Sequence, residues 1–344
     1  MADRTDRWWF GVGAACVAAA VVLGASIGPA GPDWWRVPLE FVNRLPLISI
    51  ETGVSESEWA IVWKIRMPRV VLGGVVGGML SIAGASYQGV FRNPLVGPYL
   101  LGAAAGAGLG ATLALTVGRG VTSSWAVDPV PTAAFVVAVA SVMVTYTVGA
   151  AFGGDRTGVT LVLAGVAVVS FTSAVQTFLL QRNLEVFREV FRWITGSLAN
   201  ATWGDVGLVF PYAVVSVVVL LIHRRHLDLF RVGGDEAATL GMSVARTRLT
   251  IVIAATLGTA AVVSVSGLIG FVGLIVPHVV RLLAGAGHRR LLPLSLMGGA
   301  AFLILADIPG RMLSNPAETP IGVVTAFIGA PFFIYLLRTK RVGA

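Results

Sequence analysis

Apolar runs of about 20 residues, separated by short polar breaks, follow one another along the whole chain. A helix that crosses a membrane needs about 20 mostly apolar residues, so each run of this length predicts one span. The pattern predicts an all-α, polytopic membrane protein with about ten transmembrane helices, organised as a single domain over residues 1–344. The predicted helices are 8–28, 68–90, 97–117, 130–152, 158–181, 204–223, 246–266, 270–285, 291–312 and 319–338.

Two local patterns add detail to these spans. Glycine pairs four residues apart, such as Gly73/Gly77 and Gly106/Gly110, are typical of membrane helices that pack closely. Residues 185–193 alternate charged and apolar side chains, which predicts a short amphipathic helix outside the spans. This helix is either an interfacial connection or part of the outer rim of a substrate path. The side chains expected to face the bundle are Val186, Phe187, Val190 and Phe191.

Composition agrees with the membrane class. Of all residues, 56% are hydrophobic and 12% are charged, whereas globular domains carry about 25% charged residues. The net charge of +8 does not indicate nucleic acid, because the arginines form short clusters between apolar runs rather than one basic face. These clusters fall in every second loop, and loops rich in arginine stay on the cytoplasmic side. Both termini are therefore predicted to be cytoplasmic, and the number of spans to be even.

Several kinds of chemistry are excluded by the residues present. Lys64 and Lys340 are the only lysines, and neither follows the glycines of a phosphate-binding loop. Cys16 is the only cysteine, which excludes disulfides within the chain and cysteine metal sites. His278 belongs to no zinc-protease or serine-hydrolase motif. We therefore expect no catalytic residue, no metal site and no cofactor in this chain, and any energy that drives it comes from a partner.

Short motifs follow one another in a specific order from about residue 59 to the C-terminus. They are Arg66-Met67-Pro68-Arg69, Tyr87-Gln88-Gly89, Phe91-Arg92-Asn93-Pro94-Leu95, Leu101-Gly102, Trp193 through Gly196-Ser197-Leu198, Gly234-Asp235-Glu236-Ala237-Ala238-Thr239-Leu240-Gly241, Gly270 to Leu274 with Pro277-His278 and Arg281, Ala306-Asp307, and Pro320 to Thr325. This series resembles the permease subunits of the ATP-binding-cassette importers for iron siderophores, haem and vitamin B12. Val96-Gly97-Pro98 departs from the acidic-Pro step common in that family, and residues 29–58 contain no motif that we can assign.

The resemblance implies a ten-helix permease domain that dimerises around a central pathway in the bacterial cytoplasmic, or inner, membrane. It implies no enzyme activity, because a separate ATPase subunit binds ATP and Mg and hydrolyses the nucleotide. The expected partners are that ATPase, an extracytoplasmic substrate-binding protein, a second permease subunit that is identical or homologous, and membrane lipid. The expected cargo is an iron-siderophore complex, with haem or vitamin B12 as alternatives in the same class.

Two sets of residues match functional positions of the family. Arg66, Arg69 and Arg311 match the arginines that receive acidic residues of the binding protein. Arginine suits a water-exposed rim, because its planar fork holds a carboxylate through two hydrogen bonds. The alternative is that these arginines only anchor helix ends at the membrane surface.

The second set, in the cytoplasmic segment of about 230–245, matches the helices that transmit ATPase closure as a rigid-body movement. Its residues are Gly234, Asp235, Glu236, Ala237, Leu240, Gly241 and Met242.

A secondary transporter driven by protons or sodium is the main rival from another class. Such a protein needs carboxylates within the membrane and interrupted helices at mid-depth. Asp307 is the deep candidate, and it lies near a helix end. We expect Asp307 and Arg281 to form structural pairs rather than to transfer protons, which favours the importer permease.

Overall fold

The computed structural model describes residues 2–46, 50–118, 128–151, 158–313 and 317–341, and no strand occurs among them. A π-helical turn, Val62–Arg66, joins the helix Glu56–Ile61 to the helix Met67–Phe91, and a 3-10 turn, Leu184–Val186, precedes the helix Phe187–Ile194. The helices are α1 (Ala2–Ser26), α2 (Arg36–Asn43), α3 (Glu56–Ile61), α4 (Met67–Phe91), α5 (Ala103–Val117), α6 (Pro129–Ala151), α7 (Gly158–Arg182), α8 (Phe187–Ile194), α9 (Trp203–Ile222), α10 (Arg224–Phe230), α11 (Gly234–Thr239), α12 (Val244–Ser266), α13 (Val272–Ala284), α14 (His288–Met312) and α15 (Ile321–Arg341).

Ten of these helices correspond one by one to the ten predicted spans. In the described part of the chain, seven helical stretches are long and apolar enough to cross a membrane, namely Asp6–Ser26, Glu56–Phe91, Pro129–Gly149, Thr160–Arg182, Trp203–Ile222, Val244–Ser266 and His288–Met312. Three shorter apolar helices are Ala103–Val117, Val272–Ala284 and Ile321–Tyr335. The prediction of an all-α, polytopic membrane protein is therefore confirmed.

The prediction that the third span begins at residue 97 was wrong. Turns occupy the chain from Asn93 onward, where the Asn93 side-chain oxygen accepts a hydrogen bond from the Leu95 N–H at 2.9 Å. Gly102 has a φ of +89°, a left-handed conformation in which glycine has no side chain to clash. Helix α5 therefore begins only at Ala103.

Helix α4 is the centre of the bundle, and most of its residues are buried. It packs antiparallel to α14, so that Arg69 meets Asp307 near one end and Gly89 meets His288 near the other. A side chain on Gly77 would overlap the carbonyl of Gly299, which confirms the close packing that the glycine spacing predicts.

The two ends of this helix pair are separated by the length of α4, about 37 Å for 25 residues. We call them the α3 end, where α3 leads into α4 and α14 finishes, and the α11 end, where α10 and α11 lie. Candidate functional residues occur at both ends, so the fold separates them by about the thickness of a membrane.

Candidate functional site

A buried ion pair joins α4 to α14 at the α3 end. The Arg69 Nε lies 2.8 Å from Asp307 Oδ2, and Arg69 Nη2 donates to Asp307 Oδ1 at 2.8 Å, so the pair is bidentate. Both side chains are less than a tenth exposed. Removing one partner of such a pair typically costs about 3–5 kcal/mol, because the other charge is left buried and uncompensated. The predicted structural pairing of Asp307 is confirmed.

Arg66 holds the end of α1 rather than facing water. Its Nη1 donates to the carbonyl oxygens of Ala25 and Ser26 at 3.0 and 2.8 Å, and its Nη2 donates to the carbonyl of Ala30. These carbonyls are at or beyond the C-terminus of α1, where the helix leaves acceptors unpaired and favours a cation. A Cβ atom at Gly28 would lie 2.8 Å from Arg66 Nε, so glycine leaves room for the guanidinium.

Arg311 completes the cluster, and two of its guanidinium nitrogens make no hydrogen bond with the described residues. Its Nη2 lies 3.3 Å from Asp307 Oδ2, yet its Nε and Nη2 have no hydrogen-bond partner among the described residues. Glu318, which sequence reasoning missed, binds Arg69 Nη1 at 2.8 Å and is 36% exposed, so the cluster opens to the surface there. Three arginines and two carboxylates leave one net positive charge.

The structure brings Arg66, Arg69 and Arg311 together, as the docking prediction requires, but it does not expose them. They are only 4%, 7% and 3% exposed. The expectation of a water-exposed arginine rim was therefore wrong. Residues 25–30 cover Arg66, and the side chains of Arg69 and Arg311 both form ion pairs with the buried Asp307. Their part in docking stays a prediction.

A polar cleft lies beside this cluster at the same end. It has a volume of about 550 Å³, and its charged lining residues are Asp128, Glu189, Arg192 and Asp205. Helix α8 forms one wall and agrees with the predicted amphipathic segment 185–193. Val186 and Val190 face the bundle as expected. Phe187 and Phe191 do not face the bundle. They are 49% and 58% exposed, and their rings stack with centroids 6.1 Å apart.

Unwound segments meet in the middle of the bundle. The Tyr99 hydroxyl donates to the carbonyl of Ile269 at 2.9 Å and accepts from the Ile269 N–H at 3.2 Å, which ties the turns before α5 to the break before α13. At this break Phe271 has a φ of +67°, unusual for a residue with a side chain. Both segments line a largely apolar cavity of about 400 Å³, whose third wall is Val166, Val169 and Ser170 of α7. Backbone without regular structure is tolerated at membrane depth where it is buried or lines a cavity.

Helix α11 forms the candidate contact at the opposite end, over Gly234–Thr239. Its end is a Schellman motif, in which Met242 N–H bonds the Ala237 carbonyl and Gly241 N–H bonds that of Ala238. Gly241 has the required positive φ of +84°. The sequence located this helix correctly, since glycines mark both of its ends.

The matched residues in and just after α11 divide into two faces. Ala237 and Met242 are buried, whereas Glu236 and Leu240 are exposed, Leu240 to 66%. Val232, just before the helix, is 60% exposed. Asp235 is part of the helix, but its side chain lies outside the described residues. Two large apolar side chains on a polar surface segment are typical of a contact with a partner.

The sequence matches the model of the FecCD transport family over residues 12–339. It is 41% identical over 327 residues to the cobalamin import system permease protein BtuC of Halobacterium salinarum, covering 95% of this chain and 84% of that protein. It is 34% identical over 293 residues to the hemin transport system permease protein HmuU of Yersinia pestis, covering 84% of this chain and 86% of that protein.

A third relative is the ferric dicitrate transport system permease protein FecD of Escherichia coli, 35% identical over 309 residues and covering 86% and 95% of the two chains. Among solved structures, the fold is similar to a transporter described as the metal-chelate ABC type in an inward-facing conformation. The TM-score is 0.82 at 28% identity, and the match covers 97% of this chain and 99% of the other.

Proposed function

The chain belongs to the FecCD transport family, and from this membership we propose that its cargo is a large metal chelate, with cobalamin ahead of a ferric siderophore. The chain is the membrane-spanning permease subunit of an ABC importer and not an enzyme; separate ATPase subunits hydrolyse ATP. The observation that carries the cargo proposal is the 41% identity with a cobalamin permease, against 34% and 35% for the haem and ferric dicitrate permeases. The iron-siderophore cargo stays the second candidate.

Docking of the extracytoplasmic binding protein is proposed at the α3 end, centred on Arg311. Two nitrogens of this guanidinium make no hydrogen bond with the described residues, although Nη2 lies 3.3 Å from Asp307 Oδ2, and the cluster has one surplus positive charge. A carboxylate of the binding protein, entering beside Glu318, would supply the missing acceptor through a charge-assisted hydrogen bond. Arg66 and Arg69 are held by this chain's own acceptors, so their role is to fix α1, α4 and α14 around that point.

Contact with the ATPase is proposed at the α11 end. The exposed Leu240 and Glu236 provide one apolar and one acidic side chain on a short helix that its glycine ends hold in a defined geometry. The buried Ala237 and Met242 attach this helix to the bundle, so that a movement of the ATPase would carry the neighbouring helices with it. The α11 end, both termini included, would then be cytoplasmic in a bacterial inner membrane.

A second permease subunit is proposed to cover the apolar sides of α7 and α15. Phe171 of α7 is 70% exposed and Phe327 of α15 is 74% exposed. Ile334 and Leu163 on the same two helices are also more than half exposed. Helix α7 lines the apolar cavity described above, and α15 lines a second apolar cavity of about 580 Å³, as expected for the walls of a pathway shared by two subunits.

Uptake into proteoliposomes tests the cargo. The chain is reconstituted with its ATPase and binding protein, and accumulation of radiolabelled cobalamin, ferric hydroxamate and haem is measured with ATP and with a non-hydrolysable analogue. We expect ATP-dependent accumulation of cobalamin, which excess unlabelled cobalamin suppresses. Accumulation of the ferric hydroxamate in place of cobalamin would make the siderophore the cargo.

A further inference from the structure

A second charged pocket lies at the α11 end, separate from both contacts described above. It has a volume of about 350 Å³ and lies where the C-terminus of α4 meets α13 and the start of α14. Its basic lining residues are Arg92, Arg231, Arg281 and His288, and we call it the basic pocket.

The positive charge of the basic pocket is only partly compensated. Asp228 on α10 is the carboxylate beside it, and its Oδ1 lies 2.7 Å from His288 Nδ1 and accepts from the His288 backbone N–H at 2.9 Å. The same oxygen is 4.0 Å from Arg231 Nη1. Three arginines against one carboxylate leave a surplus of two positive charges even when His288 is neutral.

One buried donor in the basic pocket lacks an acceptor, whereas Arg231 Nη1 donates to the Ala286 carbonyl at 3.4 Å. Arg281 Nη2 donates to the Gln88 side-chain oxygen at 2.6 Å, but Arg281 Nη1 is buried without a hydrogen-bond partner among the described residues. A buried donor of this kind is normally satisfied, so an unpaired one indicates that an acceptor belongs there. The predicted structural pairing of Arg281 is thus only half fulfilled, by an uncharged partner.

Arg92 adds a second, independent observation. It has a φ of +50° at the end of α4, a left-handed conformation that glycine adopts without steric cost. Its exposed side chain makes no hydrogen bond or ion pair with the described residues. The chain therefore carries an arginine at a strained position where nothing within the described protein uses its charge, and strain of this kind is typical of binding sites.

We propose that the basic pocket binds a phosphate group, which it takes from the headgroup of an anionic phospholipid or from a soluble phosphate. Phosphate presents several acceptor oxygens, and arginine forks match them through paired hydrogen bonds. Basic pockets between membrane helices at their cytoplasmic ends are suited to anionic headgroups. The occupant would join Arg231, which lies between α10 and α11, to Arg92 and Arg281 on the bundle, and would steady the segment that carries α11.

Thermal unfolding of the full chain in nanodiscs tests this proposal. The unfolding temperature is measured in phosphatidylcholine alone, with phosphatidylglycerol added, and with inorganic phosphate added. The test variant is Arg92→Gly combined with Arg231→Gln, and the control is Arg246→Gln, an exposed arginine at the same end that does not line the pocket. In phosphatidylcholine alone, Arg92→Gly should unfold no earlier than the wild type, because glycine relieves the backbone strain.

We expect phosphatidylglycerol to raise the unfolding temperature of the wild type and the control, and the double variant to lose most of that rise. A rise with inorganic phosphate that the double variant also loses would identify a soluble source for the same site. Equal rises in all variants, or no rise with either probe, would overturn the proposal. It would also be overturned if stabilisation through these arginines appeared only on adding the ATPase subunit, independently of lipid and phosphate, since the pocket would then be a protein contact.

Discussion

Arg69 and Asp307 are 238 positions apart in the chain, and their side chains meet through two hydrogen bonds in the interior. The sequence indicated that both residues matter, because charges next to apolar runs are costly unless they are paired. It could not indicate that Arg66 and Arg311 are buried, because the sequence around an arginine at a helix end is the same whether water or another segment of the chain covers the side chain. Glu318 was missed for the same reason: only the fold brings it to Arg69.

Arg311→Met tests docking at the scale of one side chain. The substitution removes the surplus charge while Asp307 keeps both hydrogen bonds from Arg69, so the bundle should stay folded. A hydrogen bond to a charged group contributes about 1.5–3 kcal/mol, so the Kd for the binding protein should rise about tenfold or more. Surface plasmon resonance on nanodiscs gives the Kd.

The control for this change is Arg36→Met, which removes a partly exposed arginine, 35% exposed, beside Asp33 outside the cluster. Its Kd should stay close to that of the wild type, because exposed pairs contribute little. If both variants bind equally well, or weaken equally, Arg311 has no specific part in docking.

Glu40 joins several polar side chains among the described residues of 29–58, a stretch in which the sequence offered no motif. Its buried carboxylate accepts hydrogen bonds from Thr52, from Arg44 at 2.8 Å and from Asn43 at 3.3 Å. Burial raises the pKa of this carboxyl, but the hydrogen bonds from Thr52, Arg44 and Asn43 outweigh burial and hold the pKa below its ordinary value of 4.5. The stabilisation is therefore fully present above pH 4.5 and is lost as the pH falls through the lower pKa of the folded state.

Hydrogen exchange of α2 and residues 50–54, corrected for intrinsic rates, should accordingly accelerate on acidification below pH 4.5. Glu40→Gln should exchange faster already at neutral pH and show a smaller acid step. Glu51→Gln, at an exposed position of the same segment, should behave as the wild type. If exchange in Glu40→Gln accelerated on acidification as much as in the wild type, the pH dependence would belong to another group.

At the scale of elements, agreement between sequence and structure depends on how local the signals are. Helix α11 was located correctly because its glycine ends act within a few residues. The start of α5 was predicted six residues too early, because the apolar run continues through turns that depend on Asn93 and Gly102. The direction in which each face of a short helix points is set by its neighbours, so the outward position of Leu240 could not be predicted.

Leu240→Ser tests helix α11 as a coupling element. The side chain is 66% exposed, so the fold should tolerate the change. If a partner buries it, the loss amounts to about 1.5–3 kcal/mol of binding free energy. We expect weaker copurification of the ATPase subunit and a loss of ATP-dependent uptake. The matched control is Leu313→Ser, 78% exposed at the α3 end, which should leave ATPase binding unchanged. Normal ATPase binding by Leu240→Ser would move the contact elsewhere.

At the scale of the molecule, hydropathy predicted the number and approximate position of the spans, because the requirement of about 20 apolar residues acts on each helix separately. The cavities, the unwound segments around Ile269 and the buried cluster were not predictable, because they arise where several helices meet. The result is a bundle with distinct surfaces at its two ends, joined through α4 and α14. Import requires these surfaces to face opposite sides of the membrane.

Cysteine labelling from the two sides of the membrane tests this arrangement most directly. In a Cys16→Ser background, which removes the natural and exposed thiol, Leu313→Cys and Leu240→Cys place single thiols on exposed positions at the α3 and α11 ends. Labelling with a membrane-impermeant maleimide should modify Leu313→Cys in intact spheroplasts and Leu240→Cys only in inverted vesicles. Modification of both thiols from the same side, or of each from the opposite side to that expected, would contradict the account.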